Sequence, residues 1–363
     1  MHPSNLLKPE WVGIIRRHVP EAEKTGKLHP NQLALVHEQG WFKFLVPAVY
    51  AGLELNLPDQ VRLEESLAWA NGSLGWVVTL CSGAGWFGGF IEPDAAKGIF
   101  AHPQLCLAGS GAPSGTATIT EGGYIINGEW KYASGIQHAT HVTANCVIKQ
   151  GDETVLNGDG SPLILPFVFN REDVTIQSAW KYVGMMGTGS DAYRVDNLFV
   201  PSNRCFKIDA SAAKVDGTLY YYPFMQLAEA TLTANMSGMA IHFTDLCETL
   251  FADKPFRGRY NAGQQQKVQQ LLNDSIDKLN QSRVDFYQSV DASWQAVSQK
   301  ADSAVALKAV STTSHTLATL ARNIVDELYP YCGLIAANPD TEINQVWRDL
   351  HTASQHSLFA FAE

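Results

Sequence analysis

Apolar positions recur every three or four residues at both ends of the chain and every second residue in its middle, and this change of period divides the sequence into three parts. Residues 1–103 read as short helices separated by turns, with Leu33, Val36, His37 and Gly40 on one face and Val61, Glu64, Leu67 and Ala68 on another. Residues 104–209 hold short β-branched and aromatic segments, TATIT, YIING, HVTANCVI, LILPFVF, VTIQ and YRVDNLFV, divided by Gly, Asn and Asp; this pattern predicts antiparallel strands. Residues 210–363 return to the helical period, and between Gln264 and Tyr329 neither Gly nor Pro occurs. Such a run exceeds an ordinary helix, so it divides near Ser298–Asp302 into two antiparallel helices, with Gly263 and Pro330 marking its ends. The order predicts an α+β fold: an N-terminal helical domain, a middle antiparallel β-barrel-like domain and a C-terminal four-helix bundle. Strands and helices do not alternate, which argues against a doubly wound nucleotide fold.

Charge narrows the function classes. Lys plus Arg is 26 and Asp plus Glu is 36, a net charge of −10 with no basic run, so no nucleic-acid footprint is expected. Hydrophobic residues make up 45% and charged residues only 17%, a balance that allows extensive subunit contact. The six cysteines show no C-x-x-C spacing and read as reduced thiols of a cytoplasmic protein. The start of the chain lacks the pattern of a secretory signal. Residues Ala68–Ile91 carry no charge, yet six glycines and acidic flanks fit a buried helix and turn better than a membrane span.

Two glycine-rich stretches, Ala108–Gly115 and Gly184–Ser190, each lead into a strand and not a helix, which excludes the dinucleotide and P-loop readings. Isolated, they are strand connections; their other use is close backbone approach to a flat ligand. His138 and His141 lack a third neighbouring ligand, so no metal site is expected.

The runs LAGSGAPSGTA, NGEWKYASG, WKYVGMMGTGSD and VDNLFVP, in that order and spacing, resemble the acyl-CoA dehydrogenase superfamily across nearly the whole chain. The resemblance implies a flavin, FAD or FMN. It would place Leu107, Ala108, Gly109, Ser110 and Pro113 along the flavin and substrate side, Tyr132 and Ala133 at the isoalloxazine ring, and Ser134 beside its N5. It further implies a phosphate contact from Arg257, Arg259 and Gln264 across a subunit boundary, and a homotetramer or dimer.

The dehydrogenases of this superfamily take a carboxylate base from the last helix, but position 357 is Ser and the only tail Glu is Glu363. The run Trp347-Arg348-Asp349 followed by His356 resembles instead the reduced-flavin, two-component monooxygenase branch, which implies an oxygen-side role for His356 and a separate flavin reductase. Phenol hydroxylases of that branch use a further N-terminal His; here none lies between His37 and His102, and Cys81, Ser82, Gly83 and Trp86 would cover that spot. The leading expectation is therefore a reduced-flavin-dependent monooxygenase acting on a small apolar or aromatic substrate. An acyl-CoA dehydrogenase using Glu229 as base, and a non-catalytic scaffold, stay open at this point.

Overall fold

The computed structural model describes residues 1–360. Six helices precede the strands: α1 (Pro9–Arg17), α2 (Val19–Thr25), α3 (Pro30–Glu38), α4 (Leu57–Ala70), α5 (Gly72–Gly85) and α6 (Pro93–Phe100). The apolar run around Ala68–Ile91 is thus the end of one helix and the whole of another. Asn71 divides them: its extended backbone ends α4, while its side-chain oxygen accepts the Leu74 N–H and caps α5. None of the described helices is long and apolar enough to cross a membrane.

Seven strands follow: β1 (Leu107–Thr120), β2 (Gly123–Ala133), β3 (His141–Gln150), β4 (Glu153–Thr154), β5 (Ile164–Asn170), β6 (Thr175–Gln177) and β7 (Asp191–Pro201). They form one sheet in the order β4, β3, β1, β2, β7, β6, with β5 on the far side of β3. Two expectations are corrected here. The first glycine-rich stretch is no connection but the leading half of β1 itself. The sheet is not wholly antiparallel either, because β1 and β3 run parallel from Leu107 opposite His141. After β2 has returned antiparallel to β1, the turn at 134–140 carries the chain across the sheet and starts β3 at the same end as β1.

The remainder is helical: α7 (Thr218–Tyr221), α8 (Phe224–Ala252), α9 (Lys254–Arg257), α10 (Ala262–Ser298), α11 (Ala304–Cys332), α12 (Leu334–Ala337), α13 (Glu342–Ala353) and α14 (Ser357–Ala360). A capping box between Asn261 and Gln264 starts α10, and the break before α11 falls at 299–303, where Lys300 adopts φ +53°. Pro330 lies inside α11, and Gly333 ends it.

Helix α4 packs lengthwise on α8, so that the N-terminal helices and the bundle share one core. Gly238 permits the approach, since a Cβ there would lie 2.2 Å from the Glu65 carbonyl oxygen. A polar seam runs through this core: Ser237 donates to Glu65, whose carboxylate receives Arg283 at 2.6 and 2.8 Å, and Asn235 donates to Thr79 at 2.7 Å. Helix α5 then leans on β1 and on the turn before β7, and α13 packs on α5 and α8. All three parts of the chain meet around α5.

Candidate active site

The sheet opens at the end nearest α5. Pairing of β1 with β2 stops at Gly115 opposite Gly128, β1 loses register with β3 between Ser110 and Gly115, and β2 loses register with β7 between Trp130 and Ala133. Residues 111–114 and 131–132 therefore leave the ladders side by side, the kind of bulge that redirects side chains and frees main-chain donors. Tyr132 takes φ +64°, a left-handed backbone costly for an aromatic residue, and holds its ring 59% exposed. Its hydroxyl lies 3.1 Å from that of Tyr182, and its ring stands edge-on to Trp180 at 6.4 Å. Asp191 fixes this aromatic group from below, accepting the N–H groups of Ala179 and Trp180 and the amide of Gln137.

Two residues beyond Tyr132 the chain turns inward. Ser134 is 6% exposed; its hydroxyl receives Trp76 Nε1 of α5 at 3.2 Å and lies 2.8 Å from Ser190 Oγ. Gly135 N–H bonds to the Thr188 carbonyl, stitching the end of β2 to the 185–190 turn. That turn is gripped from the C-terminal end of the molecule. Asp349 accepts the Met185 N–H at 2.5 Å, and Arg348 donates to the Val183 carbonyl at 2.8 Å and to Glu23 of α2 at 3.2 Å. Gly184 is required here, because a Cβ would stand 2.1 Å from the Arg348 carbonyl oxygen. Burial pushes the Asp349 carboxyl up to about 7 against the lowering effects of Met185, Arg348 and Gln345, with Glu23 adding to the rise.

From this grip α13 runs to Ala353, and the turn that follows brings in His356, whose ring stands edge-on to Trp76 at 5.9 Å. Its Nδ1 accepts the Leu358 N–H at 3.3 Å, so the neutral ring carries its proton on Nε2, and burial lowers its pKa. One helix from the N-terminal part thus joins the Ser134 hydroxyl of the turn after β2 and a C-terminal imidazole.

Glu229 lies in α8, 7% exposed, receiving Ser311 Oγ at 2.5 Å and facing His315 Nε2 at 3.4 Å, both on α11. Phe359 separates this group from His356, its ring centroid 6.1 Å from His315 and 6.4 Å from His356. Glu363 lies outside the described residues.

Residues 230–361 match the family described as acyl-CoA dehydrogenase, C-terminal domain. The chain is 26% identical, over 94% of its length and 91% of the relative's, to the oxygenase subunit HsaA of a flavin-dependent monooxygenase from Rhodococcus jostii. The crystal structure of 3-HSA hydroxylase from Rhodococcus sp. RHA1 superimposes with a TM-score of 0.85 at 21% identity, covering 97% of this chain and 91% of that one. XiaF from Streptomyces sp., solved in complex with FADH2, superimposes at 0.81 and 20% identity, covering 96% and 89%. The chain has the fold of the acyl-CoA dehydrogenase superfamily, and its residues 230–361 match that family's C-terminal domain.

Within this superfamily fold the surface around Tyr132 suits a flat heteroaromatic ring. It combines exposed aromatic faces, main chain released from the ladders at 111–114 and 131–132, and the Ser134 hydroxyl at its inner edge. Leu107, Ala108 and Ala133 are buried in the sheet beneath that surface, Gly109 and Ser110 are half-buried, and Pro113 is exposed. Arg257, Arg259 and Gln264 are not brought to it within one chain. They follow the far end of α8, about 35 Å from Glu229 at 1.5 Å per residue. There Arg257 meets Gln265, Arg259 covers the Phe256 ring, and Gln264 closes the Asn261 capping box.

His138 and His141 are placed apart in role. His138 Nε2 accepts the Leu28 N–H, and burial lowers each to about 4. Among the described residues no cluster of His, Cys, Asp and Glu is placed to hold a metal. Of the residues expected near the substrate, Cys81 points its thiol at the Ser134 carbonyl (3.6 Å), whereas Ser82 bonds its own helix and Trp86 donates to Leu219.

The sequence reading missed Trp76, Thr188, Ser190 and the Trp180–Tyr182 pair. Thr188 and Ser190 lay within the second glycine-rich stretch, where an alternation of hydroxyls and glycines was the available signal. Trp76 offered none, being one apolar residue in an apolar run.

Proposed function

We propose that this protein is the oxygenase component of a two-component flavin monooxygenase, hydroxylating a small apolar or aromatic substrate with reduced flavin supplied by a separate reductase. The observation that carries this reading is the neutral imidazole of His356 set against Trp76 beside Ser134, where a dehydrogenase needs a carboxylate. The relatives named as monooxygenase subunits support it, and the FADH2-bound neighbour favours FAD over FMN.

Bound reduced flavin supplies the two electrons that activate dioxygen. In this reading Tyr132 and the released main chain would hold the ring, and Ser134 would meet its N5. Trp76 fixes both Ser134 and the His356 ring, which offers the proton on Nε2 to the oxygen side of the site. Ser134 is 6% exposed, which limits the access of water to its hydroxyl. Arg257 and Arg259 would hold the phosphate end of a neighbouring subunit's flavin in a homotetramer or dimer.

Glu229 has both oxygens engaged, by Ser311 and by His315, and Phe359 stands between that group and His356, an arrangement that favours the monooxygenase over an acyl-CoA dehydrogenase.

The test supplies reduced FAD anaerobically, then 18O2 and a panel of phenols, indoles and other small aromatics, followed by mass spectrometry. One 18O atom in a product supports the reading. Bleaching of bound oxidised FAD by an acyl-CoA, with no labelled product, overturns it.

A further inference from the structure

Behind Ser134 stands a line of hydroxyls whose protons all point one way. Thr188 Oγ1 lies 2.7 Å from the Met185 carbonyl oxygen, which only accepts, so the Thr188 proton is spent there. Ser190 Oγ lies 2.6 Å from Thr188 Oγ1, and with that proton committed Ser190 is the donor. Ser134 Oγ is 2.8 Å from Ser190 Oγ, whose proton is now given away, so Ser134 donates in its turn. Trp76 Nε1, which only donates, occupies one Ser134 lone pair at 3.2 Å. A hydroxyl has one proton and two lone pairs. Ser134 therefore meets any ligand with its proton already used and a single lone pair left.

The end of the line is held in place. Met185 sits at φ +54°, its N–H bound to Asp349, and Thr188 N–H also reaches the Met185 carbonyl. Thr188 and Ser190 are 0% and 3% exposed, which keeps water from offering their protons another partner.

We propose that Ser190 and Thr188 are positioning residues that fix the Ser134 hydroxyl as a hydrogen-bond acceptor, so that the site selects reduced flavin, whose N5 carries a proton, over oxidised flavin, whose N5 does not. The inference rests on the reading of Ser134 as the N5 contact. Oxidised flavin would set two acceptors face to face unless the whole line reversed, and reversal leaves Thr188 and the Met185 carbonyl oxygen lone pair to lone pair.

The experiment measures anaerobic dissociation constants for reduced and for oxidised FAD, and from them the potential of the bound flavin. It uses the wild type, Ser190→Ala, Thr188→Val, Ser134→Ala and the Ser134→Ala/Ser190→Ala double variant. Wild type is expected to bind reduced FAD more tightly. Ser190→Ala frees the Ser134 proton for oxidised N5, so the ratio of oxidised to reduced constants falls about tenfold, the worth of one hydrogen bond. That is a drop of about 30 mV in the bound-flavin potential. Thr188→Val, nearly isosteric, moves the ratio in the same direction, and Ser190→Ala changes nothing in the Ser134→Ala background. A ratio unchanged in both single variants overturns the proposal, as does an equal change with and without Ser134, which would mark a packing effect. Wild type that binds neither form overturns the flavin reading itself. Wild type that prefers reduced FAD, with variants that do not shift, overturns only the relay.

Discussion

Replacing Asp349 by Asn tests the grip between α13 and the 185–190 turn. The Asn carbonyl keeps the acceptor for the Met185 N–H, and Gln345 accommodates the new amide by turning its own oxygen toward it. What is lost is a titration. Burial raises the Asp349 carboxyl to about 7, while in the unfolded chain it returns to its ordinary value of 3.8; Glu23 adds to the rise, and Arg348, Met185 and Gln345 oppose it. Between those two values the folded protein holds a proton that the unfolded chain has released, so wild-type stability falls as pH rises through this window. The slope is about 1.4 kcal/mol per pH unit, or roughly 4 kcal/mol over about three units. Asn has no such loss. The stability gap in favour of Asp349→Asn therefore widens from pH 5 to about 7 and levels off above, several degrees in melting temperature for a chain of this size. Scanning fluorimetry from pH 5 to 8.5 at one fixed protein concentration reads this gap, with titrations away from this site cancelling in the difference. A gap independent of pH would refute the buried-carboxyl reasoning. Asp349→Ala leaves the Met185 N–H unpaired and should lie about 1–3 kcal/mol below the Asn variant.

Three further outcomes follow from the same contacts. Glu65→Ala strands the Arg283 guanidinium, 6% exposed, in the core and should cost about 3–5 kcal/mol in urea unfolding; a loss below about 1 kcal/mol would show that the pair is solvated. Tyr132→Ala removes the exposed ring and should weaken reduced FAD binding about tenfold by fluorescence titration, whereas Tyr132→Phe keeps it; equal losses would assign the effect to the hydroxyl. Glu229→Gln should change the hydroxylation rate by less than about threefold, whereas a general base in that position would be worth about 10²–10⁴.

Much of this fold is legible in the residues. The loss of Gly and Pro after Gln264 and the change of period near Leu105 mark helix and strand because each rests on local backbone chemistry, whereas the Asn127-Gly128 pair, which reads as a turn, lies inside β2, and the turn falls at Glu121–Gly122. Ser134 and His356, the proposed site residues, stand out in the sequence only through motif order. The missing parts are tertiary. The parallel pairing of β1 with β3 depends on where the 134–140 turn carries the chain, and Trp76 meets Ser134 across 58 residues of sequence. The hydroxyl line from Ser134 to Met185 exists only once Asp349, 164 residues on, holds the turn. No periodicity reports such contacts. Arg257 and Arg259 show the opposite case, a motif legible in sequence whose proposed phosphate contact the single chain does not complete.

The most direct measurement mixes wild type and His356→Ala, each loaded anaerobically with reduced FAD, with oxygenated buffer in a stopped-flow spectrophotometer. If the protein is a monooxygenase with His356 at the oxygen side, wild type passes through a transient absorbing species before oxidised flavin appears, and His356→Ala shortens its lifetime at least tenfold while binding reduced FAD as before. Direct return to oxidised flavin at the rate of free flavin in both proteins would contradict that function.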